Sequence, residues 1–413
     1  MMKRIDIAIA GCGIAGLCAA LLLHRQGHRV TLYERFDKAR PLGSGLMIQP
    51  TGLAVLARLG LAEMVVAAGA RVDALLGLNT EGEPVLEASY ADLPIPRAFG
   101  LGIHRASLFD VLYAAVQAEG IVLHTGHVVT SSETEDRRRR LVFEDGNCSP
   151  WHDLVIDAAG LGSRLVPGPA TLLPFGALWA TLDWPACSSL DRRVLEQRYD
   201  RAARMVGLLP LGEGKAAFFW SMHQDDYRDW QDRGPLAWRS EVCALWPGLE
   251  PIADQLDASL PVVFARYCHR TTRDPVGAGI VHIGDAWHAA SPQLGQGANM
   301  ALLDAWALAC AIGEAGEIDM ALARFLRLRR GHVRLYQWLT WAFTPPFQSA
   351  SVWPAIFRDQ LMAPASRIGP LPKIKALTLS GLLGAPLARL GLEPPDYASL
   401  AAAAGASSPA SAA

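Results

Sequence analysis

The chain of 413 residues is 51% hydrophobic and 19% charged, which excludes a disordered polymer or a small disulfide-stapled scaffold and leaves room for one large core or several ordinary ones. Lys plus Arg total 38 against 40 for Asp plus Glu, so a net charge of -2 gives no general attraction for nucleic acid or anionic lipid, and a small-molecule partner is expected. The seven cysteines, at 12, 18, 148, 187, 243, 268 and 310, form no C-x-x-C pair, and this odd, scattered set fits a reducing, cytoplasmic setting without a disulfide framework or zinc site.

Residues 1 to 23 imitate a secretory signal, and Ile9-Ala10-Gly11-Cys12 imitates a lipoprotein box. Asp6 leaves only about five apolar residues before Cys12, where a signal needs roughly 7–15, so no leader is expected. No stretch reaches the ~18 consecutive apolar residues of a membrane span. Instead, residues 5 to 34 read as strand, tight turn, helix and strand, a βαβ unit. Helices are predicted over 52–68 and over 107–118, the second after a Ser107 cap. Short strands follow over 122–129, 141–144 and 154–157, and the charged run 133–140, with acids beside its four arginines, reads as a solvated hairpin tip.

Strand-like runs at 177–182 and 215–221, then a tryptophan-rich helical stretch over 225–256, predict a mainly antiparallel sheet covered by helices. Residues 75–96 are expected to add a hairpin to it, and residues 279–283 to return to the first sheet. Residues 320–395 are helical in composition but interrupted by prolines at 345, 346, 354, 364, 370 and 372. Packing of this segment on the body is the expectation, and peripheral membrane contact is not favoured. A frayed tail is expected from residue 401 onward.

Two motifs carry chemistry. Gly11-Cys12-Gly13-Ile14-Ala15-Gly16 is G-x-G-x-x-G at a strand-to-helix turn, with Glu34 at the end of the next strand. Gly11 permits the turn, Gly13 lets a pyrophosphate approach the helix amides, Gly16 allows close helix-strand contact, and Glu34 can accept from a ribose hydroxyl. This motif predicts dinucleotide binding without separating NAD from FAD. Far downstream, an apolar strand ends in Gly284-Asp285, a loop holds Pro292, and Gly295-Gln296-Gly297 opens a helix near Ala298. Asp285 is placed to accept from a polyol, and the helix aims free amides at whatever sits above it.

With both motifs present, residues 3 to 310 resemble the single-component FAD-dependent aromatic hydroxylases of the para-hydroxybenzoate and salicylate hydroxylase type. The resemblance implies an α/β fold in which a Rossmann-like FAD-binding domain (1–74, 97–170 and 275–335) is interleaved with a mainly antiparallel β-sheet substrate domain (75–96 and 171–274). A C-terminal helical segment (336–400) and a flexible tail (401–413) would complete it. It assigns the ADP part of FAD to Gly11, Gly13, Ile14, Ala15, Gly16, Glu34 and Arg35, and the ribitol to Asp285. It lays Pro292, Gly295, Gln296, Gly297, Ala298 and Asn299 against the isoalloxazine. His104-Arg105-Ala106-Ser107-Leu108 is similar to the family's Arg-x-x-Leu, which brings Arg105 to the cofactor, with a surface ion pair as the alternative. Gly43-Ser44-Gly45-Leu46-Met47-Ile48-Gln49-Pro50 is similar to the family's mobile segment beside the flavin, with a plain loop as the alternative.

One segment departs from the family. Its Ala-Asp-Gly is Ala158-Ala159-Gly160 here, although Ser163 and Arg164 of the following Ser-x-Arg are intact. Asp157 lies two positions before Ala159, and strand alternation gives no reason for it to replace the missing carboxylate. Met47, Trp179, Thr181, Phe218, Trp220 and Pro292 are candidate substrate contacts, the aromatics having ordinary core as their alternative. His288 is a candidate general base, with a structural role as the alternative.

The resemblance implies an NAD(P)H- and O2-dependent monooxygenase that hydroxylates a phenol-like or heteroaromatic ring through a C4a-hydroperoxyflavin, as a monomer or homodimer, with no metal and no nucleic-acid partner. A flavin reductase or dehydrogenase without oxygen insertion and a non-catalytic flavin- or ligand-binding protein are the alternatives. A halogenase lacks support because W-x-W-x-I-P is absent, and no H-E-x-x-H or nucleophile elbow points to hydrolysis.

Overall fold

The computed structural model describes residues 3–38, 45–185 and 187–406. Its first sheet has six strands in the order Val276–Gly277, Ile280–His282, Leu154–Asp157, Asp6–Ala10, Arg29–Tyr33, Val122–His124. Every pair is parallel except Val276–Gly277 with Ile280–His282. A parallel sheet has to be covered on both faces, and the central strand alternates accordingly. Ile7 and Ile9 pack with the buried helix Ile14–Arg25, while Ala8 and Ala10 pack with Leu141 and Phe143 of the hairpin on the other side. Helices Arg105–Ala118 and Gly297–Glu314 lie against Ile14–Arg25.

That hairpin joins Val129–Glu135 to Arg138–Phe143. Three of its four arginines are spent on local partners: Arg140 on Glu133, Arg138 on Asp6 and Asp153, Arg139 on the Ala278 carbonyl. The charged run is therefore a solvated tip, as expected.

The second sheet has seven strands ordered Val263–His269, Thr171–Asp183, Lys215–His223, Arg204–Pro210, Val194–Asp200, Ala74–Asn79, Pro84–Ser89. It is antiparallel apart from the Val194–Asp200 and Ala74–Asn79 pair, and the hairpin expected over 75–96 supplies its edge. One face is covered by helix Asp226–Leu245 and the other by the C-terminal helices. The fold is thus a Rossmann-like parallel sheet interleaved with a mainly antiparallel one, followed by helices.

Several local expectations change. The helix expected over 52–68 is two, Pro50–Arg58 and Ala62–Ala67, with Gly60 between them. The later helix begins at Arg105 rather than after Ser107, because the His104 ring Nδ1 accepts from the Ala106 N–H at 3.1 Å. The run 122–129 stops at His124 and resumes at Val129 in the hairpin. Strands Val194–Asp200 and Arg204–Pro210 fall within the strand-like region 171–221 but are not individually marked in the sequence; Arg201, at φ 54°, makes their turn without the glycine that would announce it. Pro345 and Pro346 fall in the last turn of the 30-residue helix Ile318–Phe347, and Pro354, Pro364 and Pro372 in first turns, where a missing N–H costs nothing. Residues 401 to 406 belong to helix Tyr397–Ala406, and residues 407–413 lie outside the described residues.

Candidate cofactor and substrate cavity

The two glycine motifs meet where the parallel strands end. Ala10 and Asp157 lie side by side in register, and the chain leaves the first strand through Gly11 at φ 102°. A Cβ there would sit 2.5 Å from the Ala158 carbonyl oxygen, and one at Gly16 would sit 2.1 Å from the Gly11 carbonyl oxygen. Gly13 is different: nothing lies within 4 Å of its Cβ position, so the start of helix Ile14–Arg25 presents backbone amides to open space. Such a cradle fits a pyrophosphate.

Glu34 is buried, and its Oε2 accepts from the Cys12 N–H at 2.8 Å. It therefore braces the turn as well as offering a carboxylate at its edge. Burial first, and then this charge, push the Cys12 thiol up to about 12, which keeps it protonated. Arg35 is exposed, with its guanidinium over the Phe36 ring at 4.7 Å.

Asp157 does not substitute for the carboxylate missing at Ala159. It is fully buried; its Oδ2 accepts from the Ser163 hydroxyl at 2.6 Å and pairs with His282 Nδ1 at 2.7 Å, and its Oδ1 accepts from the Ala159 N–H. Ala159 is exposed, and Arg164 forms a surface pair with Glu144.

Asp285 follows Gly284 at the start of the short helix Asp285–His288 and is half-buried. The loop 292–299 folds back on it, so a Cβ at Gly297 would lie 4.0 Å from Asp285 Oδ1. Beneath runs a buried network. Asp304 accepts from the Gly284 N–H at 2.9 Å, pairs with His288 Nε2 at 2.6 Å and accepts from Arg329 Nε at 2.7 Å; Arg329 Nη1 reaches His332 Nδ1 at 3.0 Å. Burial alone would raise the Asp304 carboxyl, but His288 and Arg329 overcome it and hold it at about 2. Burial, then the Arg329 charge, lower His332 to about 3. His288 thus has one ring nitrogen committed to Asp304, which fits a structural role better than a general base.

Gly13, Ile14, Ala15, Gly45, Met47, Arg105, Asp285, Pro292, Gly295, Gln296, Gly297 and Ala298 all line one cavity of about 840 Å³. Arg105 is exposed there and has no ion pair among the described residues. Gly11, Gly16, Glu34, Arg35 and Asn299 stand behind the surface or at its margin. Asn299 is fully buried, accepting from the Gln49 N–H and donating to the Met47 and Gly295 carbonyls, so it ties the two loops together. Gly43 and Ser44 lie outside the described residues.

The roof separates the aromatic candidates. Trp179 pairs with Phe219 across the sheet, their rings stacked at 4.7 Å, and both line the cavity. Phe218 and Trp220 do not: strand alternation turns them to the other face, where they pack in a core with Trp238. Thr181 shares the face of Trp179 but lies beyond the cavity.

Sequence reasoning did not anticipate Phe219, Tyr267, Tyr199 or Met205 on the walls, nor Tyr336, Phe343 and Lys375 from the C-terminal helices. Burial raises the phenols of Tyr199, Tyr267 and Tyr336, which stay neutral donors, and lowers the half-buried Lys375 amine. The alternation that places Trp179 inward also marks Phe219 once the strand register is known. Among the described residues no cluster of His, Cys, Asp or Glu is arranged to hold a metal.

The model of the FAD binding domain family matches residues 4–317. Phenazine 1,6-dicarboxylic acid hydroxylase PhzS of Lysobacter antibioticus is 31% identical over 361 residues, 79% of this chain and 86% of that protein. FAD-dependent urate hydroxylase of Klebsiella pneumoniae is 25% identical over 349 residues, 81% of this chain and 87% of its own. Among solved structures, Klebsiella pneumoniae HpxO complexed with FAD and uric acid matches with a TM-score of 0.78 and 21% identity, over 92% of this chain and 98% of that one. The tetrameric form of 2-methyl-3-hydroxypyridine-5-carboxylic acid oxygenase matches at 0.76 and 19%, over 92% and 96%. At these identities the structural matches speak to the fold.

Proposed function

The chain belongs to the FAD binding domain family, and from that premise we propose an NAD(P)H- and O2-dependent monooxygenase that adds one oxygen atom to an electron-rich aromatic ring. The observation that carries this reading is the shared cavity of Gly13 and Asp285, which brings a pyrophosphate cradle and a polyol acceptor to one ligand. In this proposal the turn from Gly11 to Gly16, with Glu34 behind it, holds the ADP portion. Asp285 accepts from the ribitol, and the loop from Pro292 to Ala298 supports the isoalloxazine.

Bound FAD supplies hydride acceptance from NAD(P)H and activation of dioxygen. The chain's own contribution is positional and electrostatic. The N-terminus of helix Gly297–Glu314 and Arg105, which has no ion pair among the described residues, stabilise negative charge in the cavity, while Met47, Trp179, Phe219 and Met205 exclude water around the reacting ring. The relatives named for phenazine and urate substrates favour a fused heteroaromatic ring held against Trp179 and Phe219.

The purified chain is expected to be yellow and to oxidise NAD(P)H faster when a suitable phenazine, quinolone or phenol is present, with a product heavier by one oxygen. Ligand-stimulated NAD(P)H oxidation whose organic product never gains oxygen, under conditions where the flavin is fully bound, overturns the monooxygenase reading in favour of a reductase.

A further inference from the structure

The outer surface of the C-terminal helices is strongly apolar where it borders the cavity. On helix Ile318–Phe347, positions 327, 334, 338 and 341 fall on one stripe at helical spacing, and Arg327, Arg334, Trp338 and Trp341 are all exposed there. The following turns add Trp353, Phe357, Leu361 and Ile368, with exposures of 74, 51, 59 and 68%. Soluble monomers scatter such residues singly, and a concentration of this kind marks an interaction surface. Phe357 and Leu361 also line the cavity, as do Gln337 and Thr340 next to the two tryptophans of the long helix, so the patch forms the rim of the opening.

The patch is held in place by the body of the protein. Arg358 is fully buried; its Nη1 donates to the Arg201 and Pro346 carbonyls at 2.9 and 3.1 Å, and the Ser349 N–H donates to the Ala202 carbonyl at 2.9 Å. Its charge is as uneven as its polarity. Residues 320–358 contain six arginines and no Asp or Glu, in a chain of net charge -2. Arg324, Arg329 and Arg358 are matched by Glu314, Asp304 and Asp359, which leaves Arg327, Arg330 and Arg334 without an ion pair among the described residues. Glu87, the acid of the edge strand Pro84–Ser89, already faces Arg367.

We propose that this face docks on an anionic lipid bilayer, so that the cavity opens toward the membrane. Indole rings settle at the headgroup level, the unpaired arginines meet lipid phosphates, and the aliphatic side chains enter the acyl boundary. A second copy fits less well, because a twofold contact would bring the unpaired arginines of both copies into one interface, with no acid among residues 320–358 to meet them. The surface goes beyond the monooxygenase reading and does not rest on it, since docking is measured without turnover.

The test is sedimentation of the FAD-loaded full chain with vesicles of phosphatidylcholine alone or with about 30% phosphatidylglycerol, alongside light scattering of the free protein. Binding to the anionic vesicles is expected, weakened by salt and accompanied by a blue shift of tryptophan emission. W341Q with W353Q should lower the partition by about tenfold, and R327Q with R334Q should remove the preference for phosphatidylglycerol, with flavin absorbance and melting unchanged in both. The proposal is overturned by absence of binding to the anionic vesicles, by binding indifferent to both double variants, or by a dimer in free solution that the tryptophan substitutions dissolve.

Discussion

His288 Nε2 and Asp304 Oδ2 lie 2.6 Å apart, and the same carboxylate oxygen also receives the Gly284 N–H that precedes Asp285. The turn that offers Asp285 to the cavity is therefore fixed from beneath by a buried anion on helix Gly297–Glu314, and that anion is balanced by the fully buried Arg329. Asp304→Asn removes the charge that Arg329 needs, and breaking a buried pair from one side costs about 3–5 kcal/mol. A large fall in the melting temperature of the apoprotein is expected, together with weaker FAD retention. A variant that melts like the parent shows that Arg329 does not depend on this carboxylate.

Acid should weaken the same network from two sides. Asp304 is held at about 2 against an ordinary 3.8, so its stabilisation is complete above pH 3.8 and disappears as the pH falls through 2. His332, lowered from 6.5 to about 3, stays neutral in the folded chain while the unfolded chain takes up a proton below pH 6.5. Stability is thus lost as the pH falls below 6.5, by about 2 kcal/mol at about pH 5 from His332 alone. Denaturant melts from neutral to mildly acid pH are expected to show this slope in the parent and a flatter one in His332→Gln.

The two helix-proximal glycines predict opposite outcomes. At Gly13 an added methyl meets open space, so Gly13→Ala should fold normally and lose FAD affinity by at least about tenfold, because the methyl enters the phosphate cradle. At Gly16 the methyl would lie 2.1 Å from the Gly11 carbonyl oxygen, so Gly16→Ala should lower apoprotein stability before any ligand is considered. Melting of the apoprotein and fluorescence titration with FAD separate the two; equal effects of both substitutions on the apoprotein would show that Gly13 has a packing role.

Phe218 and Phe219 are sequence neighbours with opposite surroundings. Phe218→Leu opens space in the core around Trp238 and should cost about 1–3 kcal/mol of stability with little change in kcat/KM. Phe219→Leu removes the ring stacked on Trp179 at the cavity wall and should lower kcat/KM for an aromatic substrate by about tenfold, with more NAD(P)H oxidised per oxygenated product. Reversal of the two profiles would mean that the sheet presents its other face to the substrate.

These neighbours also mark where the sequence stops being informative. The glycine turn at Gly11 and the Gly284-Asp285 loop were legible because backbone geometry there tolerates few alternatives, and each announces itself by residue type and spacing. Trp179, Phe218 and Trp220 were not separable, because facing direction depends on strand register, and register is set by partners far away in the chain. Arg201 hid a whole hairpin by turning without glycine. Tyr336 and Lys375 reach the cavity only because helices after residue 317 fold back over it, and no local pattern encodes that return.

Arg105 is the clearest remaining test of the cavity's charge. It is the first residue of helix Arg105–Ala118, where the helix dipole disfavours a cation, and it is exposed without an ion pair among the described residues. Nothing in the folding of the apoprotein therefore requires it, and Arg105→Gln should leave apoprotein stability within about 0.5 kcal/mol of the parent. A charged hydrogen bond to an anionic part of FAD contributes about 1.5–3 kcal/mol, so the same variant should bind FAD about 10- to 100-fold more weakly, with a shallower salt dependence. Arg105→Lys should restore part of the affinity as a point charge without the planar fork. Titration of the apoproteins with FAD at two salt concentrations checks all three expectations, and a loss of affinity matched by an equal loss of apoprotein stability would assign Arg105 to the scaffold instead.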